Sequence, residues 1–375
     1  MEYTFNEILA SVTHKVEPRA WEVASSSVAE ERKRIEAFIE QGGQAYGFTT
    51  LFGHLDSIQR EQEGRANLYR GHVVGHPSTV TPEIGRAIVA VKLCQLSQGG
   101  TGISLNSYMR LREVFSSNSP VIRIDLHASY GSGDVVPGAW LVDSTFAGPW
   151  DLERGDLMAL INGAYIPAGI LLGSYRSIEQ ALSRAQSLVR ETRDLSIARR
   201  VSEEVQLPVS LRDLEPLNAA LDKACDRIQT SITRAVNRKS GNPLFDIGKS
   251  GVRPVSNSSF LDFEFSIDVG AVHEVVRIVG AYIVASTRWA SNSAESEADE
   301  LYGPLVVQLP KVCKAYEEGL TSRSSSLQYS QVESRGVEDI SDSSLRRVLD
   351  LNGAISTLDQ MSDLLANALH RLKND

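Results

Sequence analysis

Several things are scarce in this 375-residue chain, and each scarcity removes a class of protein. There are only three cysteines, Cys94, Cys225 and Cys313, odd in number and far apart. They build neither a disulfide framework nor a thiolate metal cluster, and they read as core or surface thiols. No apolar run is long enough to span a bilayer, which argues against a membrane partner. The opening "MEYTFNEILASVTHKVEP" lacks the basic-then-apolar order of a secretory leader, so a cytoplasmic protein is the default expectation. Positive charge is not in excess, because 38 Lys+Arg face 47 Asp+Glu for a formal net charge of -9. Without a concentrated basic surface, nucleic acid is excluded as the main partner. Neither a metal nor a nucleotide is called for.

What is present is helical periodicity. Leu345, Val348, Leu351, Ile355, Leu358, Met361, Leu365 and Leu369 recur every three or four residues, which predicts one long amphipathic helix at the C-terminal end. Similar spacing runs through "SIEQALSRAQSLVRETRDLSIARRV", "LEPLNAALDKACDRIQTSITRAV" and "VGAVHEVVRIVGAYIVASTRW". It also runs through "LYGPLVVQLPKVCKAYEEGL", where Pro310 should kink or restart the helix. The fold class is therefore mainly α, a long-helix bundle with a small mixed, loop-rich N-terminal region. We expect an N-terminal region over 1–145 and the long-helix bundle over 146–375. Extended pieces are few, chiefly "SPVIRIDLHASY" and "GFTTLFG". Irregular zones at 46–76, 120–137 and 240–261 are where binding groups should sit.

The zone 120–137 contains Gly131-Ser132-Gly133 followed by Asp134. Two readings of it stand side by side. One is a flexible turn. The other is backbone chemistry: in a bend of small residues the Gly133 nitrogen attacks the Gly131 carbonyl and closes a five-membered ring. Loss of water from the ring and of the Ser132 hydroxyl leaves an exocyclic methylidene, an electrophile that ordinary side chains do not provide.

The surrounding stretch "HASYGSGDVVP" resembles the Ala-Ser-Gly-Asp-Leu-x-Pro segment of the histidine and aromatic amino-acid ammonia-lyases and aminomutases. That family builds a 4-methylidene-imidazol-5-one (MIO) from Ala-Ser-Gly. Six further stretches are similar to family segments in the family's order. "AYGFTTLFGHLD" puts Tyr46 at the place of a catalytic Tyr, and "NLYRGHVVG" puts His72 where the substrate side chain is selected. "DLMALINGAYIPAGILL" puts Asn162 beside the electrophile. "QLPVSLRDLEPLNAALD" matches Gln206 and Arg212, "SGNPLF" matches Ser-Asp-Asn-Pro-Leu, and "RGVEDIS" matches Glu338. The chain departs from the family at Gly131 (for Ala), Val209 (for Tyr) and Ser259 (for Asn), and it is shorter than typical members.

The resemblance implies an ammonia-lyase-type helical bundle and an ammonia-lyase or 2,3-aminomutase acting on an L-α-amino acid with a polar or aromatic side chain, in specialised metabolism. The planar fork of Arg212 suits a substrate carboxylate. Tyr46 as phenolate suits removal of a poorly acidic β-proton where cationic neighbours lower its pKa. Glu338 would exchange protons at the amine, while His72, Asn162, Gln206 and Ser259 would line the substrate pocket. The resemblance further implies a homo-oligomer, a tetramer or, for a shortened chain, a dimer.

Each residue also has a plainer reading. Tyr46 can anchor a loop, and His72 can be a helix-start histidine bonded to backbone. Arg212 can pair with Asp213 or Glu215, an exposed interaction of little worth. Glu338 can be a helix N-terminal charge. For the whole chain, one alternative is a lyase or cyclase that keeps the pocket with an unmodified Ser132, suggested by the changes at Gly131, Val209 and Ser259. Another is a non-catalytic helical homologue.

Overall fold

The computed structural model describes residues 2–50, 64–146, 148, 151–200, 206–295, 303–323, 329–333 and 337–374. Among them the helices run in chain order as α1 (Phe5–His14), α2 (Arg19–Glu40), α3 (Gly64–His72), α4 (Pro82–Ser97), α5 (Leu105–Ser116), α6 (Val135–Thr145), α7 (Asp156–Ile161), α8 (Ile166–Ala198), α9 (Glu215–Asn237), α10 (Phe263–Glu295), α11 (Gly303–Arg323) and α12 (Ser344–Asn374). Three antiparallel two-stranded ladders complete the described structure: β1 (Ser78–Thr79) with β2 (Arg123–Ile124), β3 (Leu244–Gly248) with β4 (Gly251–Val255), and β5 (Ser330–Glu333) with β6 (Glu338–Ile340). The expected mainly α fold is what forms.

The chain divides into two compact units. The first comprises Met1–Ser174, Gln229–Ser266 and Leu327–Val348; the second comprises Tyr175–Ile228, Ile267–Ser326 and Leu349–Asp375. Helices α8, α9, α10 and α12 each contribute residues to both.

In the first unit α4 is the hub. Thr81 caps it by accepting the Ile84 N–H, and Pro82 occupies its first turn, where a missing N–H costs nothing. Every residue from Gly85 to Leu96 is buried, so this helix is enclosed on all sides rather than amphipathic. Gly169 and Gly173, one turn apart on α8, make that possible. A Cβ at Gly169 would lie 2.4 Å from the Ile88 Cα, and one at Gly173 would lie 2.9 Å from the Ile84 Cα. In the same unit Trp21 meets Phe115 edge-on at 4.8 Å, and Phe48 meets Phe245 at the same distance.

In the second unit the C-terminal helix behaves as its periodicity predicts: all eight apolar residues named above, including the two at its start in the first unit, are buried. At Gly280 on α10 a Cβ would come within 2.7 Å of Leu320, which again ties close approach to a missing side chain. Helix α11 runs through Pro310 without restarting.

Three local expectations are corrected. Of "SPVIRIDLHASY" only Arg123–Ile124 forms a strand. The chain turns at Asp125, whose carboxylate takes the N–H groups of His76 (2.6 Å) and His127 (3.1 Å) in competition with a ladder. Conversely, the irregular zone 240–261 holds the β3–β4 hairpin, in register from Leu244↔Val255 to Gly248↔Gly251. Of "GFTTLFG", residues 47–49 form a turn and Thr50 makes a single bridge, while 51–53 lie outside the described residues.

Candidate functional site

The Gly-Ser-Gly bend sits at the mouth of α6, which begins one residue after Asp134. Gly131 (φ +82°), Gly133 (φ +86°) and Asp134 (φ 48°) all take left-handed conformations. At Gly131 a side chain is excluded twice over, because a Cβ would stand 2.2 Å from Ser341 Oγ and 3.0 Å from the Ser343 nitrogen, and because φ is positive. That accounts for glycine where the resembling family has alanine. The flanks are tied down: the Gly131 N–H donates to Ser129 Oγ (3.0 Å), and its carbonyl accepts the Asp342 N–H (3.0 Å). The Gly133 carbonyl accepts the Gly163 N–H at 3.4 Å. By contrast, no described residue hydrogen-bonds the Ser132 hydroxyl or the Gly133 N–H. The bend is buried, Ser132 retaining 7% exposure.

Beside it, Asn162 caps the end of α7. Its side-chain Oδ1 is buried without a hydrogen-bond partner and stands 3.2 Å from where a Cβ on Gly133 would project. Asp134 accepts the Ser129 hydroxyl. Burial, followed by the charge of Asp342, pushes its carboxyl up to about 7 against the relief that Ser129 gives.

On the other flank, Tyr130 directly precedes Gly131, and its phenol donates to Glu338 Oε2 at 2.6 Å. Burial, then the Glu338 bond and charge, then Glu333 and Tyr46, raise the Tyr130 pKa, so this phenol keeps its proton. Tyr46 thus lies within electrostatic range of Tyr130, on a half-buried turn where the Thr49 and Phe48 N–H groups donate to the Ala45 carbonyl. Glu338 lies in β6 and not at a helix start, so its helix-dipole reading falls.

His72 sits in the last turn of α3, not at a helix start, and its Nδ1 bonds the Leu68 carbonyl at 2.7 Å. Only an N–H can do this, so Nδ1 carries the proton in that bond. The Ser259 hydroxyl is spent on the Gly241 backbone, accepting its N–H at 3.2 Å and donating to its carbonyl at 3.0 Å.

The first unit therefore holds Tyr46, His72, Gly131, Ser132, Gly133, Asn162, Ser259 and Glu338, whereas Gln206 and Arg212 belong to the second. There the Arg212 guanidinium is exposed and donates to the Leu207 carbonyl (2.8 Å) and Gln206 Oε1 (2.9 Å). The suggested pairing with Asp213 or Glu215 does not form; Asp213 accepts the Glu215 N–H at 2.9 Å instead. Two residues of the neighbourhood were not singled out from the sequence, Tyr130 and Lys92. No motif marks either. Tyr130 adjoins the bend, so adjacency alone is the available signal, while Lys92 lies on a helix that none of the motifs covers.

The residues present fit an imidazolone made from the bend. Both flanking positions lack side chains, the hydroxyl to be lost and the attacking N–H are unengaged, and Asn162 Oδ1 is an unpaired buried acceptor facing the bend. No group of His, Cys, Asp and Glu suited to a metal ion occurs among the described residues.

The architecture is the long-helix fold of amino-acid lyases and aminomutases. Over 100% of this chain and 89% of the other, it is similar to the phenylalanine aminomutase of Pantoea agglomerans, with TM-score 0.78 and 14% identity. The tyrosine aminomutase of Streptomyces globisporus matches 98% of this chain and 86% of its own, with TM-score 0.77 and 16% identity. By sequence, residues 3–145 match the aromatic amino acid lyase family model, which bears out the resemblance read from the motifs. The histidine ammonia-lyase of Clostridium tetani is 32% identical over 128 residues, 32% of this chain and 24% of that protein. That of Homo sapiens is 30% identical over 118 residues, 30% of this chain and 18% of that protein. The matched stretches thus span from 18% to 40% of the length of these curated relatives.

Proposed function

We propose that this chain is an ammonia-lyase or 2,3-aminomutase for an L-α-amino acid with a polar or aromatic side chain, working through an electrophile that Gly131, Ser132 and Gly133 make from their own backbone. The observation that carries this reading is the bend, with two left-handed glycines and a Ser132 hydroxyl and Gly133 N–H that bond to no described residue. In the cyclisation the Gly133 nitrogen bonds to the Gly131 carbonyl carbon and one water leaves; the Ser132 hydroxyl leaves with its Cα hydrogen as a second. The resulting ring supplies a methylidene carbon that accepts a substrate amine and makes it a better leaving group.

The chain's own side chains do the remaining work. Arg212 uses two of the five N–H donors of a guanidinium within its loop, which leaves donors for a substrate carboxylate. Tyr46 is the base for the β-proton. Tyr130 is unsuited to that task because its phenol is held protonated against Glu338. Glu338, positioned by Tyr130, exchanges protons at the amine. His72 helps select the substrate side chain, and Asn162 offers its unpaired Oδ1 beside the bend. The working form is a homo-oligomer, a reading supported by large apolar side chains left exposed, among them Val209 at 73% and Ile267 at 62%.

The test is the intact mass of the purified protein, followed by incubation with L-histidine, L-tyrosine and L-phenylalanine and measurement of ammonia and β-amino acid. A mass short by two water molecules, mapped to the peptide holding residues 131–133, is expected. Full mass overturns the electrophile, and activity that survives Ser132→Ala would then favour elimination at an unmodified site. Light scattering that finds an active monomer would overturn the oligomer.

A further inference from the structure

Helix α4 carries a lysine where its surroundings call for a hydrocarbon. Lys92 is fully buried, and its Nζ makes one hydrogen bond, 3.0 Å to the backbone carbonyl of Asn162. It also stands 4.4 Å from the centre of the Tyr165 ring. No carboxylate pairs with it among the described residues. One turn on, Gln95 Nε2 reaches the carbonyls of Ala164 (3.4 Å) and Ala235 (3.0 Å). The two buried polar side chains on this face of α4 therefore both grip the segment 162–164.

That segment is the one that meets the bend. Asn162 aims its unpaired Oδ1 at Gly133, and the Gly163 N–H reaches the Gly133 carbonyl. A chain of contacts thus runs from Lys92 through the Asn162 backbone to the residue whose nitrogen must attack. We propose that Lys92 is a positioning residue for the self-cyclisation of Gly131-Ser132-Gly133, acting through its hydrogen bond to the Asn162 carbonyl. This rests on the electrophile reading above.

Two physical points support the role. A buried ammonium without a counter-ion is costly, and a methionine would fill the same volume without that cost, so packing alone does not explain the lysine. Burial also pulls its pKa down to about 7, which lets the side chain remain in place as a neutral amine that still donates to the carbonyl.

The experiment follows the loss of two waters by intact mass against time after cell-free synthesis, in wild type, Lys92→Met, Lys92→Gln and Lys92→Arg, with Tm measured on each. Methionine has no donor, and the glutamine amide ends one atom short, so both lose the bond; arginine can restore it. We expect folded Lys92→Met and Lys92→Gln to mature up to about tenfold more slowly, the size of one lost hydrogen bond, with recovery in Lys92→Arg. Glutamine's polar tip keeps the test available if methionine prevents folding. A folded Met or Gln variant that loses both waters at the wild-type rate overturns the proposal, and a lowered Tm with unchanged maturation would mark a structural tie. Wild type at full mass fails differently, since it removes the electrophile reading itself.

Discussion

The Gly131–Gly133 bend and the Gln206–Arg212 segment carry two halves of the proposed chemistry and are built in opposite ways. The bend is buried, its glycines lie in left-handed backbone, and its flanking amides and carbonyls are held by Ser129, Asp342 and Gly163. The segment is a short 3-10 turn, Val209–Leu211, leading into an exposed arginine whose guanidinium bonds, among the described residues, Leu207 and Gln206. A backbone that must react with itself gains from being held rigidly in the attacking geometry. A group that must catch a ligand gains from staying accessible, because desolvation is then incurred only when the carboxylate arrives.

The comparison breaks most decisively at Ser132. Ser132→Ala should abolish the loss of two waters and lower turnover on the order of a thousandfold, roughly 4 kcal/mol of barrier, read by intact mass and kcat. A variant with undiminished kcat would remove the bend from the chemistry. Next, Arg212→Ala should raise KM about 10- to 100-fold while leaving Tm almost unmoved, as expected for one charged hydrogen-bonding group on an exposed segment. The reverse pattern, a lowered Tm with unchanged KM, would make the arginine structural. Tyr130→Phe should then cost about tenfold in kcat/KM by releasing Glu338, with Tm little changed because the pair is partly exposed. A pH–rate profile that is superimposable on wild type would detach Glu338 from proton transfer.

The smallest effect is a slope. The Asp134 carboxyl is raised from 3.8 to about 7 in the folded chain, so between those values the native state holds a proton that the unfolded state has lost. Its stabilising contribution is therefore complete below about 3.8 and declines as pH rises through about 7. Lys92, lowered from 10.5 to about 7, acts in the next window: the unfolded chain binds the extra proton there, so stability rises with pH from about 7 to 10.5. Thermal melts across pH should show Asp134→Asn lacking the first decline and keeping the second rise. Identical curves would mean that the carboxyl titrates as it does in water.

Much of the architecture was legible in advance because long helices announce themselves through periodicity. The eight apolar residues of α12 are all buried, and the periodic stretches behind α8, α9 and α10 became those helices. What was illegible depended on context. "SPVIRIDLHASY" has the composition of a strand, yet Asp125 captures two backbone N–H groups and ends it after two paired residues. The β3–β4 hairpin hid among Ser, Asn and Gly because its pairing, not its composition, makes it a ladder. At the site, Gly131, Ser132 and Asn162 were readable from motifs, whereas Lys92 carried no signal at all, since only enclosure on every side turns an ordinary lysine into an anomaly.

By itself, the sequence determined that long helices would form and that one bend of small residues could fold back on its own carbonyl, because periodicity and side-chain size are local properties. Only the tertiary structure decided what surrounds that bend. Tyr130 meets Glu338 across 208 positions, and Lys92 meets Asn162 across 70. Such partners are chosen by burial and unmet hydrogen-bonding capacity in three dimensions, which no spacing along the chain records.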